Sequence, residues 1–380
     1  MKYSVINLVL NNFENDSRVL KISKSLKQAG HEVQVIALHE ESLPIRDDSN
    51  GIDVHRIVLS SRNWPRKKFF QLFKYLEFTF RVLMRYRNHD IYYCNDLHTL
   101  PLGVMLKLFS GKRTKILYDA HEYESEANGL SKLEKTFRRW LERLLISFAE
   151  TTVTVSNSIA DEYVRLYGIE KPAVLLNVPP LSSVTRHDLF REELEIATDK
   201  TIYLYQGVLS PGRGIEVLLD AFEQLGDSGR VIVFMGYGPL DDLVRSRAES
   251  SDNIFFREAV SASELPRYTS SADVGISTIE NSCLSYYYCL PNKLFEYLMA
   301  EIPVIVSNLY EMRSLVKEYE LGVVAEENTV AGIKQAVVEM DEFHLEGFQV
   351  NIKPFKSRFN WEAQEELLIG LFNEIERKPG

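Results

Sequence analysis

Residues 201–224 read TIYLYQGVLSPGRGIEVLLDAFEQ. An aromatic and β-branched run, Thr201–Gln206, stops at Gly207. A turn containing Pro211, Gly212 and Gly214 follows, and from Ile215 to Gln224 apolar residues recur at Ile215, Leu218, Leu219 and Phe222. The change from a continuous apolar run to helical spacing across a glycine turn is the signature of a strand–turn–helix unit. The same unit recurs along the chain. Upstream, strands are expected at Lys2–Leu10, Glu32–Leu38, Ile91–Asn95, Lys115–Asp119, Thr151–Ser156 and Ala173–Asn177. Downstream they are expected at Thr201–Gln206, Arg230–Met235, Asn253–Arg257, Val274–Thr278, Val304–Ser307 and Val323–Ala325. Near-continuous apolar strands alternating with helix-length segments require parallel sheets covered by helices on both faces. The fold class is therefore α/β, with two doubly wound Rossmann-like domains. Val178-Pro179-Pro180-Leu181-Ser182-Ser183 excludes helix and reads as the hinge, giving domains 1–178 and 179–360.

Length and composition agree with this division. A chain of 380 residues with 45% apolar and 26% charged residues has material for two cores, which excludes disordered and fibrous classes. The net charge is −10, from 44 basic and 54 acidic side chains, and argues against a nucleic-acid partner. Residues 1–180 carry 26 basic and 21 acidic side chains, leaving 18 and 33 for the remainder, so the first half is the basic one. Cys94, Cys283 and Cys289 have no metal-ligand spacing and their odd number suits a reducing compartment. The N-terminal apolar run is short and reads as a strand rather than a signal segment, and no run reaches the length of a membrane span.

Glycines at the carboxyl ends of parallel strands mark the ligand edge of such domains. Gly207 permits close approach to the backbone, and Gly214 opens a helix behind Arg213, whose planar cation suits phosphate oxygens. A P-loop would need Lys and Ser or Thr where Arg213-Gly214 stand, so an NTPase is disfavoured; an ordinary turn with a surface arginine remains the alternative. Gly236 and Gly238 follow the next strand, but Asp241 occupies the third glycine position of a dinucleotide fingerprint. Further on, NSCLSYYYCLPNKLFEYLMAEIPVIVS (281–307) places Asn292 and Lys293 at a helix start. Glu296, one turn in, offers an acceptor pair suited to a ribose diol.

With those residues, the chain resembles the retaining glycosyltransferases of family four, of the two-domain GT-B fold. The Pro291–Tyr297 stretch, Ile302–Val306 and the two glycine segments occur in that family's order, and the likeness extends over essentially the whole chain. The resemblance implies a C-terminal domain binding a nucleotide-diphosphate sugar through Gly207, Arg213, Gly214, Gly236, Gly238, Asn292, Lys293 and Glu296. It also implies an N-terminal acceptor domain facing it across a cleft, with a terminal helix, 361–380, packing back on the first domain. Two departures stand out. Tyr288 occupies the place of a glutamate that helps hold the donor sugar, for which Glu280 is either a substitute carboxylate or a surface glutamate, and Val208 stands where an arginine is frequent.

In the first domain, Asp119-Ala120-His121-Glu122 follows a strand. A lone histidine is more often structural, but the resemblance implies that His121 contacts the transferred sugar. It would orient the sugar and stabilise charge rather than act as a hydrolase base. Asn12, Arg18, Asp96 and His98 are acceptor-side candidates, with helix capping the alternative for Asp96. The stretches 62–74 and 132–143 interleave Lys and Arg with Phe, Leu and Trp. They read either as helices with aromatic faces in the core or as surfaces for peripheral membrane contact. The resulting expectation is a cytoplasmic enzyme, at the inner face of the cytoplasmic membrane, that uses a nucleotide-diphosphate sugar as donor substrate. It needs no cofactor or metal, and it transfers to a hydroxyl of a glycan or lipid-linked acceptor in cell-surface polysaccharide or glycolipid synthesis. A nucleotide-sugar epimerase of the same fold and a non-catalytic nucleotide- or carbohydrate-binding relative are the rivals.

Overall fold

The apolar runs pair into two sheets, one in each of two units: Met1–Leu176 with Glu365–Gly380, and Asn177–Gln364. The computed structural model describes residues 2–49, 51–111, 113–226, 228–342 and 345–377. The first unit contains β1 (Ser4–Leu8), β2 (Glu32–Leu38), β3 (Arg46–Ser49), β4 (Ile52–Ile57), β5 (Ile91–Asn95), β6 (Lys115–Ala120), β7 (Thr151–Thr154) and β8 (Ala173–Val174). They are ordered β3-β4-β2-β1-β5-β6-β7-β8. The second contains β9 (Thr201–Val208), β10 (Arg230–Tyr237), β11 (Ile254–Glu258), β12 (Val274–Ser277), β13 (Val304–Ser307) and β14 (Gly322–Ala325), ordered β11-β10-β9-β12-β13-β14.

Two strands, β3 and β4, were absent from the sequence expectation, and β3 runs antiparallel to β4 in an otherwise parallel sheet. Arg46-Asp47-Asp48-Ser49 holds no apolar residue, so its pattern carries no strand signal. The hairpin is marked only by the dipeptide Asn50-Gly51. A second difference concerns the glycines. β9 and β10 continue past Gln206 and Met235, so Gly207 and Gly236 are ladder partners rather than turn residues.

In each unit the strand order reverses once, between β1 and β5 and between β9 and β12. Loops leaving the carboxyl ends of those strands diverge there and leave a crevice. Asn95 braces the first switch point from within: its Nδ2 donates to Asn7 Oδ1 and to Leu8 O, both at 3.0 Å. The terminal helix Trp361–Arg377 lends its later part to the first unit. Its Phe372 ring lies 5.5 Å from His31 and 6.5 Å from Tyr93, and Lys115 Nζ donates to Ile375 O. Residues 378–380 of the expected helix lie outside the described residues.

The basic stretches fall on the helices Lys68–Tyr86 and Lys132–Leu145 and on the turn before the first. The later part of Lys68–Tyr86 buries Phe78, Val82 and Tyr86, but no side chain of 62–74 is buried, and in the second stretch the aromatic face is not in the core. In Lys132–Leu145 the buried residue is Glu142, while Leu133, Phe137, Trp140 and Leu144 face solvent. Glu142 is held inside by Tyr118 and Tyr167, whose hydroxyls each donate at 2.6 Å, and by Tyr163.

Candidate active site

In the second unit, β9 delivers its carboxyl end to the switch point. At Gly207, with φ +115°, an added Cβ would meet only Lys293, at 3.7 and 3.8 Å, so the backbone there faces a lysine rather than packed protein. Gly214 adopts φ +72° ahead of the helix Ile215–Leu225, and a Cβ would lie 2.7 Å from Thr278 Oγ1. Thr278 Oγ1 in turn donates to Arg213 O at 3.1 Å, which fixes the turn that presents the arginine. Gly236 and Gly238 have a different origin. A Cβ on either would lie 1.9 Å from Gly207 O or 2.4 Å from Leu209 O, so the contact of β10 with β9 and its following loop requires them.

Arg213 lies 4.9 Å from the Tyr286 ring centroid and Lys293 Nζ lies 3.5 Å from that of Tyr205. Burial, and then the charge of Arg213, push the Lys293 ammonium well below the usual lysine range. Among the described residues neither cation forms a salt bridge. The helix Asn292–Met299 begins at Pro291, as the sequence indicates, and carries Glu296 one turn in. Gln206 Nε2 donates to Glu296 Oε2 at 2.5 Å, and Thr269 Oγ1 donates to Gln206 Oε1 at 2.8 Å. Asn292 Oδ1 accepts from Asn177 Nδ2 at 2.9 Å. Two cations and an oriented carboxylate thus meet beside Gly207, an arrangement suited to a diphosphate and a neighbouring diol.

In the first unit, β5 and β6 bring a row of charges to the sheet's carboxyl edge. Asp119 is fully buried and accepts from Arg18 Nε at 3.0 Å, Arg18 Nη2 at 2.8 Å and Tyr93 OH at 2.8 Å. Arg18 Nη1 donates to Leu175 O at 2.8 Å. His121 Nε2 lies 3.3 Å from Asp119 Oδ2, out of line for a hydrogen bond, and Nδ1 lies 3.4 Å from Asp96 Oδ1. Burial works against the imidazolium, but Asp119 and Asp96 outweigh it and push His121 up to about 9. Burial likewise opposes the Asp119 carboxylate, yet Arg18 and His121 hold it well below the usual carboxylate range. Asp96 adopts φ +65°, a left-handed conformation at the switch point of the kind that clusters at functional sites.

The family 4 glycosyltransferase model matches residues 17–177, and the group 1 glycosyl transferase model matches residues 187–341. The chain belongs to the family 4, group 1 glycosyltransferases. A chitobiosyldiphosphodolichol beta-mannosyltransferase of Candida albicans is 22% identical over 274 residues, covering 64% of this chain and 58% of that enzyme. This chain therefore spans less than two thirds of that relative's length. An uncharacterised glycosyltransferase of Methanocaldococcus jannaschii is 23% identical over 316 residues, 80% of this chain and 78% of that one. Among solved structures, the sucrose-phosphate synthase of Thermosynechococcus elongatus superposes with a TM-score of 0.79 at 18% identity, covering 98% and 99% of the two chains. Anabaena HepE in complex with UDP and glucose gives 0.76 at 15% identity, covering 98% and 99%. At such identities these structures show the GT-B fold alone.

The remaining candidate residues of this glycosyltransferase are placed as follows. Arg18 does not present its guanidinium to solvent; it is buried against Asp119. Asn12 Nδ2 donates to Glu40 Oε2 at 2.8 Å, and its carbonyl accepts from the buried Arg56 at 2.9 Å. His98 is exposed, with Nε2 3.5 Å from Arg138 Nη2. Tyr288 packs among tyrosines, 5.2 Å from Tyr287 and 6.2 Å from Tyr310 between ring centroids. Glu280 stands beside the glycine turn, its N–H donating to Gly212 O at 3.0 Å. Among the described residues no group of three or more His, Cys, Asp or Glu side chains is placed to hold a metal ion. Sequence reasoning missed Gln206, Asp119 and Tyr93. A glutamine inside an apolar strand, and an aspartate at the end of one, were the signals available.

Proposed function

We propose that this glycosyltransferase is a retaining, metal-independent enzyme. It moves a sugar from a nucleotide-diphosphate donor to a hydroxyl of a glycan or lipid-linked acceptor, in cell-surface polysaccharide or glycolipid synthesis. The second unit binds the donor; the first binds the acceptor and supplies His121. The observation that carries the reading is the pair Arg213 and Lys293, two cations that among the described residues have no carboxylate in ion-pair contact, beside Gly207 and Glu296. The acceptor oxygen forms its bond to the anomeric carbon on the face from which the diphosphate departs, and its proton passes to the departing diphosphate. His121, held as a cation, orients the sugar and places a positive charge beside the reacting centre rather than removing a proton. HepE, a protein of this fold, has been solved in complex with UDP-glucose, a nucleotide-diphosphate sugar.

The test is thermal-shift screening against the four nucleoside diphosphates and their sugars, since a ligand at a hundredfold its Kd adds about 2.7 kcal/mol to stability. One diphosphate series should raise Tm, and Arg213→Ala and Glu296→Ala should each reduce the shift. An unchanged shift in both variants would refute the site.

The acceptor reading includes the membrane. Across 62–74 and 132–143 there are ten Lys and Arg against two carboxylates, Glu134 and Glu142, and Glu142 is buried. Phe69, Phe80, Leu133, Phe137 and Trp140 are between 58 and 83% exposed. Arg66, Lys67 and Lys132 form no salt bridge among the described residues. Exposed aromatic side chains set among cations fit an anionic lipid surface. No helix among the described residues is long and apolar enough to cross a membrane. The protein should sediment with vesicles of phosphatidylcholine and phosphatidylglycerol and be released by Phe137→Ser with Trp140→Ser. Equal recovery on pure phosphatidylcholine would refute an anionic partner.

A further inference from the structure

The buried charge row at the end of β6 contains more than a histidine near a carboxylate. Asp119 has no solvent contact, and three donors, Arg18 Nε, Arg18 Nη2 and Tyr93 OH, hold its two oxygens from separate elements. Arg18 comes from the first turn of the helix Ser17–Gln28, and its third contact, to Leu175 O, ties that helix to the segment after β8. A fork-to-carboxylate pair of this kind has one geometry, unlike a lysine pair. The carboxylate position is therefore set before any ligand arrives. The β5–β6 ladder continues one step past β5, where Asp96 N–H donates to Asp119 O at 2.9 Å. That step brings the second carboxylate, Asp96, to the opposite ring nitrogen of His121.

We propose that Arg18 and Asp119 are positioning residues for His121: the bidentate pair fixes the carboxylate that, with Asp96, brackets the imidazole and keeps it a two-donor cation in one orientation. Arg18 thus serves the reaction through Asp119 and not by touching acceptor or phosphate. The inference rests on the reading that His121 contacts the transferred sugar. The charged groups acting on His121 are Asp119 on β6, Asp96 after β5 and Arg18 on the helix. Of these groups Arg18 opposes the imidazolium, as burial does, and its own pairing with Asp119 offsets that. The raised affinity of His121 for its proton follows from this arrangement.

The test uses Asp119→Asn and the double substitution Arg18→Met with Asp119→Leu, which replaces the pair by apolar side chains and leaves no buried charge unpaired. The His121 imidazole is followed by nitrogen-resolved NMR from pH 5.5 to 10, and kcat and donor KM are measured over the same range. Both variants should lower the His121 midpoint by at least about one pH unit, a tenfold change in proton affinity. They should also cut kcat about tenfold or more while leaving donor KM within about threefold, as expected when an interaction made in the transition state is lost. A His121 midpoint unchanged in the folded double variant overturns the proposal, and so does a lowered midpoint with kcat intact. The NMR titration needs no substrate, so it decides the brace even where wild-type protein transfers no sugar. Absence of transfer in the wild type bears instead on the proposed function.

Discussion

Binding of a nucleoside diphosphate should be coupled to proton uptake by Lys293. In the free protein, burial and the neighbouring Arg213 hold this ammonium well below its ordinary pKa, so a fraction of molecules carries a neutral lysine as the pH rises. A diphosphate beside Gly207 restores the charged form, because the anion offsets both the desolvation and the repulsion from Arg213. Binding therefore takes up between zero and one proton, and affinity falls with increasing pH between the free and bound pKa values. The steepest fall is about tenfold per pH unit, the limit for a single proton. Titration calorimetry in two buffers of different ionisation enthalpy reads the uptake directly, since the apparent enthalpies then diverge. Lys293→Met should abolish the divergence. It should also weaken binding about 10- to 100-fold, the value of one charge-assisted hydrogen bond of about 1.5–3 kcal/mol. Equal apparent enthalpies in both buffers at every pH below the ordinary lysine range, or the same divergence in Lys293→Met, would refute the reasoning.

His121 should contribute to stability in a pH-dependent way. Its folded pKa, about 9, lies above the unfolded value of 6.5, so the contribution is complete below pH 6.5 and lost as pH rises through about 9. The gain is roughly 3 kcal/mol at most, and the stability gap between wild type and His121→Gln in urea should close between pH 6.5 and 9.5; a constant gap would contradict it. Glu142→Ala should cost about 3 kcal/mol or more in urea unfolding, because Tyr118, Tyr163 and Tyr167 each lose the acceptor for a buried hydroxyl. Gly236→Ala, whose Cβ would sit 1.9 Å from Gly207 O, should lower stability by about 1–3 kcal/mol and weaken diphosphate binding together. A variant with native Tm and affinity would show that the strands separate there at no cost.

Where a feature is local, the sequence reports it well. The apolar strands, the helix starting at Asn292 and the Arg213-Gly214 turn were all legible, because chain periodicity and glycine punctuation encode backbone conformation within a few residues. The hairpin β3–β4 was not, because Arg46–Ser49 is polar throughout and becomes a strand by pairing with β4. A packing requirement at Gly236 and Gly238 was hidden for a related reason. Both were read as ligand-facing; their lack of a side chain also answers to β9 and the loop after it, and that contact is invisible until the two strands are aligned in register.

What the sequence determined by itself was two α/β units, their switch-point edges and a short set of candidate anion-binding residues in the second half. Tertiary structure decided which groups act on one another. Arg18 and Asp119 are 101 residues apart and meet only because the strand order places β1, β5 and β6 side by side. The pattern of the helix Lys132–Leu145 left open whether its aromatic face turns to the core or to a membrane surface. Three tyrosines from β6 and the helix Asn157–Tyr167 draw Glu142 inward and leave Phe137 and Trp140 outside. Helical spacing shows that two faces exist; the hydrogen-bond acceptor demanded by buried hydroxyls chose which one turned in.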